Sequence, residues 1–486
     1  MRLQSTDRPL PEIAADVLAV GLCRDSPTIP TSLQGTPAAT LLERLIAEGE
    51  LARAIGDVTP IFGAEGLAAR RLYAFGLGDS AAIAPGSTFA AGVALAKRLA
   101  AQPRESVAVA LPPGGESSAI ASALVEGLIV GTRGPDLRKA SPGRHPFGSL
   151  TIASAGDAPW LDRALRRGQV VGESINLARD LANTPPAEKS PTRLAEIARA
   201  ASLDAGLEVE VWAGPKILDE RFGGLAAVAA GSAQPPAFVI LRYKGGEGPP
   251  TALVGKGVTF DSGGLSLKPS AGMEDMKADM TGAAVVLASM IAVSRLGLKV
   301  NIDGYLPLTE NMTGGHAMKL GDVLTMRDGT TVEVMNTDAE GRLILADALA
   351  YAAEQHPARI IDLATLTGAC LVALGPKIAG LFSVDEALAA AIAKAAAHTG
   401  ERVWRLPMDD DFSELLKSPV ADLKNVGGKH GGATTAAKFL QRFAGTAPWA
   451  HLDIAGPSWA DADGPTRDAG GTGCFVRTLV ALLEEI

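Results

Sequence analysis

Acidic and basic residues seldom stand among glycines and aliphatic residues unless something there uses them, and two stretches of this chain have that mixture. The first runs Val254-Gly255-Lys256-Gly257-Val258-Thr259-Phe260-Asp261-Ser262-Gly263-Gly264, continues to Lys268 and reaches Asp279. The second is Asn336-Thr337-Asp338-Ala339-Glu340-Gly341-Arg342-Leu343. Four carboxylates cannot crowd into an apolar interior without positive charge to hold them. A pair of divalent metal ions meets that need. Carboxylate oxygens are hard ligands suited to Mg, Mn or Zn. A lysine can join them only as a neutral amine, and adjacent dications and burial both push its pKa that way. Two ions bridged about 3.5–4 Å apart polarise a carbonyl and turn water into hydroxide near neutral pH.

Taken singly, each stretch also has a plain structural reading. Phe260-Asp261-Ser262-Gly263-Gly264 suits a tight turn, and Asn336 to Glu340 suits a helix N-terminus with acidic residues at the positive end of its dipole. Gly255-Lys256-Gly257 lacks the spacing of a phosphate-binding loop. None of the six histidines (145, 316, 356, 398, 430 and 451) falls in either stretch. An isolated one such as His451, on an apolar strand, reads as a core residue. The chain contains no His-Glu-x-x-His, His-x-x-Glu-His or Gly-x-Ser-x-Gly sequence, so single-zinc peptidase and serine-hydrolase chemistry lose their usual signatures.

The elements around these residues would place them well. Thr251–Phe260 reads as a buried strand with Asp261 at its carboxyl end, where open α/β sheets bind ligands. Asp338 and Glu340, two apart, would share one side of an extended segment leading into a helix from Leu343. Further strands are expected at Glu208–Trp212, Ala237–Tyr243, Lys299–Pro307, Arg359–Leu366 and Ala450–Ile454. The helices between and after them are Thr281–Leu296, Leu343–Glu354, Glu386–His398, Thr434–Phe443 and Phe475–Glu485. Upstream, strands at Val17–Cys23, Arg71–Gly78 and Val107–Pro112 alternate with helices at Ala38–Glu50, Ser87–Ala101 and Ser117–Gly131, the pattern of a mainly parallel covered sheet. Arg133–His145, rich in Pro, Gly and basic residues, reads as a solvated loop. A long amphipathic helix, Trp160–Leu181, ends at Asn183-Thr184-Pro185-Pro186.

At 486 residues the chain exceeds one ordinary core. The expected organisation is α/β with two domains: a smaller N-terminal one over 1–158, and a larger catalytic one over 159–486 with a mixed sheet flanked by helices. Hydrophobic residues at 47% and charged residues at 20% are an ordinary globular balance. A net charge of -9 argues against a broadly basic nucleic-acid face. Three scattered cysteines without a CxxC pair fit a reducing compartment. Met1 to Ile13 is polar and proline-broken, with no secretory signal, and no apolar run of bilayer-spanning length is expected. A cytoplasmic protein follows.

Asn336 to Leu343 resembles in full the signature octapeptide of the leucyl aminopeptidase (cytosol aminopeptidase, M17) family. Val254–Gly264 with Lys268 and Met276-Lys277-Ala278-Asp279-Met280 is similar to that family's other metal-site segment. Asn183–Pro186, Asp362–Ala369, Ala421–Asn425 and Trp449–Gly456 carry the resemblance through the second domain. The first domain carries no matching motif, as expected where the family is variable, and is read as oligomerisation or regulatory.

The resemblance implies two divalent ions per subunit (Zn or Mn, with Mg also admissible) held by Lys256, Asp261, Asp279, Asp338 and Glu340, with Asp261 and Glu340 bridging. It implies Lys268 as a charged catalytic residue facing the oxyanion, and Arg342 holding a bicarbonate that serves as general base. It places Met276, Asn336, Thr365, Leu366 and Gly368 around the substrate, favouring Leu or another apolar first residue of peptides with a free N-terminus. It also implies a homohexamer. The alternative is a secondary DNA-binding or scaffold role of that hexamer, which the acidic charge disfavours. A two-metal phosphoesterase shares the metal logic but not the motif order.

Overall fold

The structure, a computed structural model, describes residues 1–112 and 117–486. The chain forms two compact units. The first takes in residues 1–176 with 398–400 and 462–469, and the second 177–397, 401–461 and 470–486. The expected boundary lay at 158; the units divide at 176, inside the long helix.

The first unit is built from β1 (Arg2–Thr6), β2 (Val17–Leu22), α1 (Pro37–Ala47), β3 (Val58–Ile61), β4 (Leu72–Gly76), α2 (Pro85–Ala100), β5 (Ser106–Ala110), α3 (Ser118–Gly131), β6 (Ser149–Ala153) and the start of α4 (Leu161–Asn183). Its sheet runs β1-β6-β5-β2-β4-β3, parallel except for β3. Alternate residues of β2 feed opposite faces. Val17 and Ala19 pack with α2 and α3, and Leu18 and Val20 with α1. The 133–145 loop is largely exposed, as its composition suggests, and is anchored near its end. Arg144 donates to the carbonyls of Gly131 and Arg133 and pairs with Asp468 of the returning 462–469 segment, which Lys97 also meets at 2.6 Å.

The second unit continues with α5 (Pro191–Asp204), β7 (Glu208–Ala213), α6 (Pro215–Asp219), α7 (Gly223–Ala229), β8 (Ala237–Lys244), β9 (Thr251–Gly255), β10 (Gly257–Asp261), α8 (Thr281–Leu296) and β11 (Asn301–Asn311). There follow β12 (Val323–Thr325), β13 (Thr331–Glu333), α9 (Gly341–Glu354), β14 (Arg359–Ala364), α10 (Gly368–Leu374), β15 (Ala379–Phe382), α11 (Glu386–Thr399) and β16 (Val403–Arg405). The chain ends with α12 (Asp411–Glu414), β17 (Leu423–Lys424), α13 (Gly432–Gln441), β18 (Trp449–Asp453), β19 (Trp459–Ala460), β20 (Gly470–Gly471) and α14 (Val476–Glu485). Its main sheet is mixed, ordered β16-β15-β18-β14-β9-β11-β8-β7, with β10 also paired to β11. The strands that matter for the site, β9, β10, β11, β14 and β18, run parallel to their neighbours within that set. Trp212, Phe222, Phe238, Tyr305 and Tyr351 interlock in one aromatic cluster of its core.

Two sequence expectations are corrected. Thr251–Phe260 is not one strand but β9 and β10, broken at Lys256. There the ladder ends: the Lys256 N–H still bonds the Leu363 carbonyl of β14, but its carbonyl turns away to take the Ala283 N–H of α8. Ser270–Leu296 is apolar and long enough to cross a membrane, although no such run was expected. Yet 89% of its apolar window is buried in protein, which marks a core helix.

Candidate active site

The site forms at the carboxyl ends of β9, β10 and β14. The break after β9 turns the Lys256 side chain inward. It lies against the start of α9, where a Cβ on Gly341 would stand 2.5 Å from Lys256 Cε, so any side chain there would push the lysine aside. Asp261 ends β10. The turn after it needs Gly263 and Gly264 at φ of +88° and +62°, and the Gly263 N–H donates to Asp261 Oδ1.

The second stretch is a turn, not the extended segment expected. The Ala339 N–H closes on the Asn336 carbonyl, and Glu340 has helical torsions. Nor is it a helix cap, because no side chain caps α9. Its shape comes from distant residues. Asn425, fully buried, accepts from the Met335 N–H at 2.8 Å and donates to the Asn336 carbonyl at 2.7 Å. Asn311 donates to both Asp261 Oδ1 and the Thr337 carbonyl, and Thr337 Oγ1 donates to the Gly263 carbonyl. These bonds lock the two stretches together. Asn425 closes one of the segments that carry the family resemblance, but sequence alone assigns it no role, and Asn311, a lone Asn at a strand end, carries no local pattern.

The result is a nest of buried charge. Carboxylate oxygens of Asp261, Asp279 and Glu340 all lie within 4.8 Å of one another. Lys256 Nζ stands 2.9 Å from Asp279, 3.0 Å from Glu340 and 2.9 Å from the Thr365 carbonyl. Lys268 Nζ sits 2.8 Å from Asp261 and 2.5 Å from Asp338. Thr365 Oγ1 donates to Asp279 Oδ1. Asp338 is the most open of the four, its side chain 33% exposed.

Electrostatics show what the nest lacks. Burial, reinforced by the Asp261 charge, pushes Glu340 up to about 8. Burial pushes Asp279 up to about 6, with Lys256 opposing and Asp261 adding to the rise. Asp338 is also raised, by burial first. Burial works against charge on Lys256, but Asp279, Glu340 and Asp261 outweigh it and hold the amine protonated. Even so, both Glu340 oxygens and Asp279 Oδ2 lack a hydrogen-bond donor; Lys256 is close to two of these atoms, but not in line with them. Buried carboxylate oxygens without donors suit a metal ion, and this donor set fits divalent cations. Such an ion would cancel the carboxylates' hold on Lys256 and repel its proton, leaving an amine able to ligate.

A cavity of about 410 Å³ opens onto the nest. Lys256, Asp261, Lys268, Asp279 and Asp338 reach it, and Met276, Thr365, Leu366 and Gly368 line it. Asn336 is not on its wall; its carboxamide oxygen accepts the Asp338 N–H instead. Arg342, in the first turn of α9, is buried. Its Nη1 donates to the Asn425 carbonyl while Nε has no partner, and burial pushes the guanidinium down to about 10 against the pull of Glu340 and Asp453. His451, read as a core residue, is buried between Phe382 and Trp449 and bonded to Asp362 at 2.5 Å.

Comparison with known proteins places this geometry in context. The model of the cytosol aminopeptidase family catalytic domain matches residues 176–480, and that of the family's N-terminal domain matches 19–132. A probable cytosol aminopeptidase of Rhodopirellula baltica is 43% identical over 93% of this chain and 88% of its own length. One from Solibacter usitatus is 41% identical over 99% of each. Among solved structures, a mutant tomato leucine aminopeptidase superposes with a TM-score of 0.89 at 34% identity, covering 100% of this chain and 97% of that one. The bottromycin maturation enzyme BotP in complex with Mn superposes at 0.85 with 36% identity, covering 97% and 99%.

Proposed function

This chain belongs to the cytosol aminopeptidase family and is an aminopeptidase, and we propose that it works through two divalent ions held by Lys256, Asp261, Asp279, Asp338 and Glu340. The observation that carries the reading is the group of three buried carboxylates, of which Asp279 and Glu340 hold oxygens without donors, beside a cavity. When bound, the ions would take up the free amine and the carbonyl oxygen of a peptide and bring a water near neutral pKa, so the cut falls after the first residue. The Mn in the BotP complex supports the metal class.

The chain's own side chains do the rest. Lys268 stays charged, because Asp261 and Asp338 outweigh the burial that opposes its charge. Its ammonium faces the cavity and would stabilise the negative oxygen that forms as water attacks the carbonyl carbon. One such group typically supplies about 3–4 kcal/mol. Arg342, with a free Nε and no carboxylate bonded to it, suits a small anion; bicarbonate there would accept the proton of the attacking water. A base held there would also be able to return that proton to the departing amine as the C–N bond breaks. Met276, Thr365, Leu366 and Gly368 give the first residue a largely apolar wall, which favours leucine and similar side chains. The family resemblance adds a homohexamer working in the cytoplasm.

The test is reconstitution. Chelated protein should be inactive, regain leucine amide cleavage on addition of Mn or Zn, and leave N-acetylated leucine amide intact. Protein that binds no divalent metal, or that cleaves the blocked substrate readily, would overturn the reading.

A further inference from the structure

One buried charge in the second unit takes no part in this chemistry. Lys189 is fully buried, and among the described residues no acidic side chain answers it. Its Nζ donates instead to two backbone carbonyls, Leu181 at 2.6 Å and Lys277 at 2.7 Å. The first bond has a clear cause. Leu181 is in the last turn of α4, and an ongoing helix would satisfy its carbonyl with the N–H of residue 185. That residue is Pro185, which has none. Lys189 Nζ supplies the missing donor at the negative end of the helix dipole.

The second bond reaches the site. Lys277 lies in the short 3-10 turn Met276–Ala278, between the pocket residue Met276 and the carboxylate Asp279. From these contacts we propose that Lys189 is a positioning residue, pinning the 276–279 turn to the end of α4 and so fixing both a pocket wall and a metal ligand. The inference rests on the reading of Asp279 as a ligand. Burial, with the Lys277 ammonium adding to it, pushes Lys189 down to about 7. The neutral amine still carries two N–H groups, one for each carbonyl, so the brace holds in either protonation state.

The test uses the full chain and manganese alone. Mn affinity is measured by equilibrium dialysis, and kcat/KM for leucine amide is compared with that for alanine amide. Lys189→Met should bind Mn about tenfold more weakly, the scale seen when support behind a metal ligand is removed, and should lose part of its preference for leucine. Pro185→Ala with Lys189→Met returns an N–H to the helix end, so thermal stability should recover while Mn affinity stays low. Lys189→Gln, a milder change should the Met variant not fold, should also bind Mn more weakly than the parent. Parent-like Mn affinity in Lys189→Gln or in folded Lys189→Met overturns the proposal. So does recovery of Mn affinity in the double variant, which would confine Lys189 to capping the helix. A parent protein that binds no Mn would instead sink the two-metal reading itself.

Discussion

Lys256 and Lys268 lie in the same nest of carboxylates, yet their surroundings assign them opposite tasks. Lys256 is buried among Asp279, Glu340 and the Thr365 carbonyl, where an incoming cation must displace its proton. Lys268 sits at the cavity with its side chain 17% exposed and keeps its charge. Lys268→Ala should therefore retain bound metal and lose about 10²–10³-fold in kcat. Asp338→Asn should lose metal and turnover together. Metal content measured beside kcat separates the two, and near-normal turnover of Lys268→Ala would refute its role. Gly341→Ala asks a steric question, because the added methyl would meet Lys256 Cε at 2.5 Å. The variant should fold, since the clash is with the flexible end of a side chain, but bind metal poorly. Unchanged metal stoichiometry would show that Lys256 can give way at no cost.

At the scale of elements, the segment carrying Asp338 and Glu340 holds its shape through Asn425. Asn425→Ala leaves the Met335 N–H and the Asn336 carbonyl without these partners. At about 1–3 kcal/mol per buried group left unpaired, urea unfolding should show a loss of roughly 3 kcal/mol with lower metal occupancy; an unmoved midpoint would contradict this. The same dependence on distant partners explains what the sequence disclosed. The helix expected at Thr281–Leu296 is α8, residue for residue, because its apolar run stops at Gly297 in the left-handed conformation. The carboxylates and lysines could be named from residue type and order. The turn at 336–339 could not, since its bonds come from residues 311 and 425, and period-two reasoning made it extended. β1 also escaped notice. As an edge strand without a buried residue it needs no apolar alternation, and its polar sequence offers no strand pattern.

For the whole molecule, the buried nest couples metal uptake to pH. Without metal, Glu340 is raised to about 8 and Asp279 to about 6, both above their ordinary values. A carboxyl group raised on folding contributes stability that is complete below its unfolded pKa and is lost as pH rises through the folded one. Metal-free protein should accordingly lose stability between about pH 4.5 and 8. Metal must displace those protons and that of Lys256, so Mn affinity should climb steeply from pH 6 to 8 and less steeply above, where only the Lys256 proton is left to displace. Dialysis at three pH values, with thermal melts of the metal-free protein, checks both slopes; a pH-independent affinity would rule out Glu340 as a ligand. Sedimentation velocity should give about six times the 49.8 kDa chain mass, and a monomer would exclude the hexamer.

The threading of the chain has its own consequence during synthesis. Lys97 and Arg144 of the first unit meet their carboxylate, Asp468, only in a segment that lies more than 300 residues further along the chain, so it is made after most of the second unit. A nascent chain that has just cleared residue 176 holds the whole six-stranded sheet but not the anion its basic side chains require. The first unit therefore cannot complete its folding before the second has emerged from the ribosome, and a gene fragment cut at that boundary would encode an unfinished domain.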